Sequence, residues 1–261
     1  MKVVITGGEG FIGKVLAAVL SKRGVEVISV DRKNGLEATE YFEFASNLCD
    51  VDCVFHLAAQ TSVFNTDKEQ ILRDNVNTFM TVCDTCKHAG VKLVYASSST
   101  ANSPNTTSLY GISKRFDEEY ARCYNPKATG VRLHNVYGPN PRQGTLLWHL
   151  LHDKPVRLVN GGRNVRHFTY IDDVIEGLIY AYGSERQLVN IANPEEVSVY
   201  DFALAVQEHN NAEISLITEK RDFDRIAQTV DESIFTVPLS YTPIEDGIRR
   251  VFDTIGNDKV Q

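Results

Sequence analysis

The sequence is poor in the features that mark secreted, membrane and nucleic-acid-binding proteins. It has five cysteines in 261 residues, and this odd number suits reduced thiols better than a disulfide framework. It has no apolar run near the length needed to cross a bilayer, and no signal-peptide pattern follows Met1. Its 34 acidic and 27 basic residues give a formal charge of -7, which disfavours general affinity for nucleic acid or anionic membranes. We therefore expect a soluble, cytoplasmic protein that binds anionic ligands at local sites.

Two of the cysteines, Cys83 and Cys86, have the spacing seen in some zinc sites. A zinc site would need two further ligands at suitable spacing, and this pair lies inside a predicted helix. We interpret both as structural residues and predict no metal.

Alternating strand and helix patterns fill the first half of the chain. Short apolar runs at 2–6, 25–30, 53–58, 93–97 and 130–133 predict strands, and the stretches 11–22, 69–89 and 110–124 have helical periodicity. Strands that alternate with helices predict an α/β fold with a doubly wound parallel sheet.

The texture changes after about residue 137, where prolines and glycines break the periodicity into short pieces. We predict one domain over 1–137 and, over 138–261, mainly a smaller C-terminal lobe for the substrate. A helical pattern at 171–182 and an apolar run at 188–191 indicate that the chain returns to the sheet around 163–193. The two lobes are therefore expected to be interleaved in sequence.

A glycine-rich turn joins the first strand to the first helix. Gly7 permits a tight turn, Gly10 lets the backbone approach a pyrophosphate, and Gly13 lets helix and strand pack closely. Phe11 and Ile12 open the helix, whose free N–H groups suit an anion. This pattern within a βαβ unit predicts a Rossmann domain that binds a nicotinamide dinucleotide.

An acid, Asp31, stands at the end of the second strand. A carboxylate there accepts hydrogen bonds from the adenosine ribose and repels a 2′-phosphate, which favours NAD over NADP. The basic residues Arg32 and Lys33 soften this preference, since either could pair with a 2′-phosphate; alternatively, both are solvated loop charges.

Tyr110 and Lys114 open a predicted helix at an i, i+4 spacing, which puts their side chains on one face. An adjacent ammonium stabilises a phenolate and lowers a tyrosine pKa toward the working range, so Tyr110 could move a hydroxyl proton. The run 97–100, Ser-Ser-Ser-Thr, ends a buried strand and places hydroxyls at the sheet edge where ligands of open α/β folds bind.

In this order, the turn, Asp31, the segment 56–60 (His-Leu-Ala-Ala-Gln), the serine run and Tyr110/Lys114 resemble the extended short-chain dehydrogenase/reductases of the NAD-dependent epimerase/dehydratase family. Segments 75–78, 131–139, 166–174 and 190–199 look like later motifs of that family. The resemblance implies an NAD cofactor, a nucleoside-diphosphate sugar as substrate, and a Ser/Thr, Tyr, Lys triad.

By position in these motifs, the resemblance makes Ser98 the best match for the triad hydroxyl, with Ser99 and Thr100 remaining possible. It implies that further residues contact the cofactor or the substrate. For the cofactor these are Leu57, Ala58, Ala59 and Asn75, together with Tyr110 and with Lys114, which would hold the nicotinamide ribose. For the substrate they are Ser98, Ser99, Asn135, Arg166 and Arg221, the two arginines as a diphosphate clamp or, alternatively, as surface charges.

Two segments are shorter than the family pattern. The stretch between Asp31 and Asp52 has too few residues for the usual helix, strand and helix, so the acid that contacts adenine is missing. Ser98 and Tyr110 are only 12 positions apart, because the substrate-contacting segment between them is cut down. We expect an open adenine pocket and leave the identity of the sugar undetermined.

The reaction follows from what stands after Ser98. A 4,6-dehydratase of this family has an Asp-Glu pair there, whereas this chain has Ser99-Thr100. Without those carboxylates dehydration has no general acid, which favours epimerisation, at carbon 4, over a dehydratase or a 4-keto-sugar reductase. A non-catalytic module that binds NAD(H) or a sugar nucleotide is the alternative of another class.

The resemblance also implies a homodimer that pairs through the helices at 69–89 and 110–124 as a four-helix bundle.

Overall fold

A six-stranded parallel sheet lies at the centre of the protein, whose computed structural model describes residues 1–219 and 226–258. The strand order is β10-β5-β4-β3-β1-β2, so the predicted α/β class with a doubly wound parallel sheet is confirmed. The strands are β1 (Lys2–Thr6), β2 (Glu26–Val30), β3 (Cys53–His56), β4 (Lys92–Ser98), β5 (Thr129–Leu133) and β10 (Leu188–Ile191).

Nine described helices cover the two faces of the sheet and the smaller lobe. They are α1 (Phe11–Lys22), α2 (Ala38–Phe42), α3 (Lys68–Ile71), α4 (Thr78–Ala89), α5 (Leu109–Tyr124), α6 (Leu146–His152), α7 (Ile171–Tyr182), α8 (Val199–Asn210) and α9 (Ile244–Asp258). A π-helical segment, Leu72–Asn77, joins α3 to α4, which the periodicity of 69–89 did not predict. No helix in the described ranges is long and apolar enough to span a bilayer.

The core lies in two layers, because successive residues of a strand face opposite sides of the sheet. Along β1, Val3 and Ile5 pack into one apolar cluster with Leu16 of α1, while Val4 packs into the other with Phe79 of α4. Burial on both faces explains why the strands read as continuous apolar runs rather than as alternating patterns.

Short strand pairs build the smaller lobe. They are β6 (Val136–Tyr137) with β9 (Thr169–Tyr170), β7 (Val156–Leu158) with β12 (Ile214–Leu216), and β8 (Val165–Arg166) with β11 (Val197–Ser198). Between them α7 packs on the main sheet and β10 pairs with β5. The chain after residue 137 thus contributes both to the main sheet and to the smaller lobe. A domain boundary at residue 137 stays a prediction.

The stretch from Asp31 to Asp52 contains two single 3-10 turns and the five-residue α2, and its described backbone forms no strand. As a result β2 pairs with β1 alone and forms an edge of the sheet. Turns therefore follow Asp31 in place of a further strand that would extend the sheet beside it.

Candidate active site

The glycine turn is too tight to accept a side chain at two of its positions, Gly7 and Gly13. Gly7 has a φ of 69°, and a Cβ there would lie 2.8 Å from the nitrogen of Ala58. A Cβ on Gly13 would lie 2.2 Å from the carbonyl oxygen of Gly7. Helix α1 begins after Gly10, and no side chain of the described residues caps its first turn. The turn therefore forms a tight cradle with free N–H groups at a helix N-terminus, which fits a pyrophosphate.

Asp31 lies beside this turn at the end of β2. Its carboxylate accepts hydrogen bonds from the backbone N–H groups of Glu9 (3.1 Å) and Lys33 (2.9 Å). These contacts hold the carboxylate at the edge of the cradle. An acid at this point suits the ribose hydroxyls of NAD.

Arg32 is held by carboxylates. Its Nη1 and Nη2 donate to Asp74 at 3.2 and 2.9 Å, and its Nε donates to Glu37. The Arg32 guanidinium holds the pKa of Asp74 below its usual range. Arg32 is thus paired with two carboxylates although its side chain is 55% exposed, and its part in cofactor choice stays a prediction.

Residues at the end of β3 lie against the glycine turn. The hydroxyl of Thr6 accepts hydrogen bonds from the N–H groups of Leu57 and Ala58, both at 3.2 Å, and lies 2.8 Å from Nδ1 of His56. Thr6 thereby fixes the 57–59 backbone beside the cradle. The glycine-rich motif alone did not predict this role of Thr6.

Asn75 lies in the π-helical segment and is buried. Its Oδ1 accepts from Gln60 N–H at 2.7 Å, and its Nδ2 donates to Gln60 O (3.0 Å) and to Oγ of Ser113 (2.9 Å). Because Ser113 precedes Lys114 on α5, the amide ties the loop after β3 to the helix that carries the chemical pair.

Tyr110 and Lys114 occupy the first turns of α5, whose N-cap Ser108 accepts a hydrogen bond from the N–H of Gly111. Burial by itself lowers the pKa of Lys114, but the charges of Asp117 and then Tyr110 outweigh it and leave that pKa above its usual range. Tyr110 and Lys114 are thus near enough to interact electrostatically, as the i, i+4 spacing predicts.

Asp117 is the residue that the sequence interpretation missed. Its Oδ2 lies 2.9 Å from Nζ of Lys114, and both side chains are buried. Burial raises the pKa of Asp117 to about 7, against the opposing effect of Lys114. The available signal was its i+3 position after Lys114, which places both on one face of α5.

The side chains of residues 97–100 make contacts in different directions. Ser98 Oγ lies 2.9 Å from Thr100 Oγ1, and both residues are buried. Ser97 points the other way and donates to Glu118 at 2.5 Å, while Ser99 donates to Gln228 at 3.4 Å. Ser98 and Thr100 therefore form one hydroxyl pair at the carboxyl end of β4.

A segment of the smaller lobe packs over the residues that follow this pair. The side chain of Asn105 donates to the carbonyl oxygens of Thr229 (3.0 Å) and Ser99 (3.1 Å). Arg132 of β5 pairs with Glu118 at 2.7 Å and with Asp231 at 3.0 Å. This buried charge network fixes α5, β5 and the lobe relative to one another, and the sequence interpretation did not include it.

Of the two arginines assigned to a diphosphate clamp, the structure describes Arg166. Arg166 is buried, and its Nη1 donates to Val165 O at 2.7 Å. Asn135 follows β5 with a φ of 28°, and its carbonyl oxygen accepts from Thr169 at 3.3 Å. Arg221 lies outside the described residues. Their contacts with substrate stay a prediction.

Cys83 and Cys86 are both buried in α4, and burial raises the pKa of Cys83 to about 12. Within residues 1–219 and 226–258, no group of three or more His, Cys, Asp or Glu side chains could hold a metal ion.

Comparison with known proteins gives consistent relatives. The family model described as "NAD dependent epimerase/dehydratase family" matches residues 3–192. Protein CapI of Staphylococcus aureus is 28% identical over 309 aligned residues, which cover 96% of this chain and 92% of the relative. UDP-glucuronate 4-epimerase 4 of Arabidopsis thaliana is 27% identical and is covered over 72% of its length by 94% of this chain.

Solved structures agree in fold over nearly the whole length. MoeE5, in complex with UDP-glucuronic acid and NAD, is 25% identical with a TM-score of 0.84, over 99% of this chain and 100% of that one. TunA, an NAD-dependent NDP-hexosamine 5,6-dehydratase, is 26% identical with a TM-score of 0.82, over 98% of each chain. Similar chains thus include enzymes of different reaction types.

Proposed function

Since the chain belongs to the NAD-dependent epimerase/dehydratase family, we propose that it epimerises a nucleoside-diphosphate sugar at carbon 4 through a transient 4-keto intermediate. The observation that carries this proposal is a Tyr110/Lys114 pair combined with Ser99-Thr100, where a dehydratase of the family has its Asp-Glu pair. UDP-glucuronate 4-epimerase 4, a relative over most of the chain, supports the same choice.

The residues described above fit the cofactor, which in this family is NAD. The Gly7–Gly13 turn would hold the pyrophosphate on the N-terminus of α1, and Asp31 would accept hydrogen bonds from the ribose. Leu57, Ala58 and Ala59 would line the same edge. When bound, NAD supplies a hydride acceptor that can return the hydride to the sugar.

The residues of α5 and β4 would move the proton. Tyr110 would take the proton of the carbon-4 hydroxyl when that carbon is oxidised to a ketone, for which bound NAD would supply the hydride acceptor. Ser98 donates a hydrogen bond to the reacting oxygen, and Lys114 stabilises the tyrosinate. Once the keto sugar has turned its other face toward the cofactor, Tyr110 would return the proton to the carbon-4 oxygen as the ketone is reduced again.

Proton NMR in deuterated water tests this reaction with the NAD-loaded protein and a panel of UDP-, GDP-, CDP- and dTDP-sugars. We expect inversion at carbon 4 without deuterium in the product, and no inversion with Tyr110→Phe. Deuterium uptake or loss of water would instead identify enolisation or dehydration, and net consumption of NADPH a reductase. An inert protein that binds the sugar nucleotide equally well with Tyr110→Phe would be a binding module.

We also propose that the protein forms a homodimer through α4 and α5. The exposed face of α5 carries Ile112 (57% exposed), Phe116 (38%) and Tyr124 (53%). The rings of Phe116, Tyr120 and Tyr124 stack in sequence, with centroids 5.7 and 4.5 Å apart. Such a stripe fits a second copy of the same helix face. Sedimentation should give the mass of two chains, and Phe116→Glu should give the mass of one.

A further inference from the structure

Helix α5 carries a buried ion pair directly behind its proposed catalytic tyrosine. Lys114 Nζ and Asp117 Oδ2 lie 2.9 Å apart, with side chains 3% and 0% exposed. An i, i+3 pair on a wet helix surface contributes a few tenths of a kcal/mol and can be lost without consequence. In this pair neither charge reaches water, so removal of one leaves the other buried and uncompensated.

The groups around Lys114 show which of them can balance its charge. His56 is buried, and burial followed by the nearby Lys114 lowers its pKa to about 3, so it is neutral at physiological pH. Glu118 also acts on Lys114, but both of its oxygens accept hydrogen bonds from Arg132. Tyr110 also acts on Lys114, but it carries a phenol rather than a carboxylate. Asp117 is therefore the carboxylate committed to Lys114.

One oxygen of Asp117 is left over. Its Oδ1 is buried and has no hydrogen-bond partner among the described residues, while Oδ2 alone contacts Lys114. Native proteins leave few buried polar atoms without a partner, so this oxygen calls for an explanation. Oδ2 makes the one described contact of this carboxylate with a cation, Lys114, so the two side chains form a single buried charge pair.

We propose that Asp117 is a positioning residue that keeps Lys114 protonated and aimed beside Tyr110, a role that rests on the proposed function of the Tyr110/Lys114 pair. A buried lysine without a counter-ion gives up its proton, and a neutral Lys114 would no longer stabilise the tyrosinate. Asp117 would thus act on Tyr110 through Lys114, without touching substrate.

The test reads Lys114 directly. Lysine labelled with ¹³C at Cε is incorporated into the full chain loaded with NAD, and the Lys114 signal is assigned by its loss in Lys114→Met. We expect Asp117→Asn to lower the pKa of Lys114 by roughly two units or more, and Asp117→Glu to restore most of that shift. Glu119→Gln is the matched control, because Glu119 forms an exposed pair with Arg122 on the same helix. An unchanged or raised pKa of Lys114 in Asp117→Asn overturns the proposal.

A second measurement covers a variant that folds poorly. If Asp117 serves Lys114, the stability lost in Asp117→Asn should return when Lys114→Met removes the other charge, as urea unfolding would show. Absence of rescue contradicts the proposal. Neither measurement needs turnover, so failure to find a sugar substrate would count against the proposed reaction and leave this inference to be judged on its own.

Discussion

Replacement of His134 by phenylalanine should flatten the loss of stability that the protein suffers in mild acid. His134 follows β5 and is 2% exposed, and the nearby Asn190 side chain, which favours its protonated form, does not offset the effect of burial. Its ring packs edge-on against His167, with centroids 5.7 Å apart. Burial, with smaller effects from His167 and Arg132, lowers its pKa to about 3.

The direction of the pH effect on stability follows from the pKa of His134 in the folded and in the unfolded chain. The unfolded chain takes up a proton on His134 below a pKa of about 6.5, whereas the folded chain does so only near pH 3. Stability from this residue is complete above the unfolded pKa and is lost as pH falls toward the folded one. At about 1.4 kcal/mol per pH unit, the loss between roughly pH 7.5 and pH 5 is about 2 kcal/mol.

Urea unfolding of wild type and His134→Phe at both pH values measures this difference. The wild type also loses stability through His56, while Asp117, with a pKa near 7, acts in the opposite direction. Both remain in the variant, so the difference between the two proteins isolates His134. We expect the variant to lose about 2 kcal/mol less than wild type. An equal loss in the two proteins would refute the reasoning.

Two further variants test the cofactor site. Gly13→Ala would place a Cβ 2.2 Å from the carbonyl oxygen of Gly7. We expect calorimetry to show a free energy of unfolding lower by about 3 kcal/mol and roughly tenfold weaker NAD binding. Gly183→Ala is the control and should change neither quantity, because the atom nearest to its Cβ would be 3.8 Å away. Asp74→Asn should release the two Nη atoms of Arg32, which keeps its pair with Glu37, and should tighten NADPH binding about threefold with NADH binding unchanged. A gain that persists when Arg32→Ala is added would contradict this prediction.

Local sequence patterns predicted most of the strands and helices of the fold. The strand that ends at Thr6, the helix that begins at Phe11 and the spacing of Tyr110 and Lys114 depend on near neighbours, so their patterns predicted them. Membership of the epimerase/dehydratase family and the NAD cofactor are confirmed by the comparisons. The specific reaction stays a prediction.

Contacts between distant residues could not be predicted in this way. Arg32 reaches an acid 42 positions away on another helix, so its spacing to Asp74 carries no signal. Asp117 shares a face with Lys114 by spacing, but only the packing of α5 decides that this face is dry. The charge of each residue was plain in the sequence, whereas its partner and its burial were products of the tertiary structure.

The two shortened segments both precede the Tyr110/Lys114 pair in the chain, and contacts within the fold hold each of them. Beside Asp31, where a strand is missing, Arg32 bridges to Asp74, and after Ser98 the short loop is tied to the lobe by Asn105 and Thr229. The match to CapI spans 309 aligned positions, more than the 261 residues of this chain, so that alignment contains insertions relative to this chain. Both segments are therefore held by contacts within this chain, without a further strand beside Asp31 or a longer loop after β4. On the proposed function, we expect substrate selection to depend more on the smaller lobe, whose Thr229 contacts Asn105, than on the loop after β4.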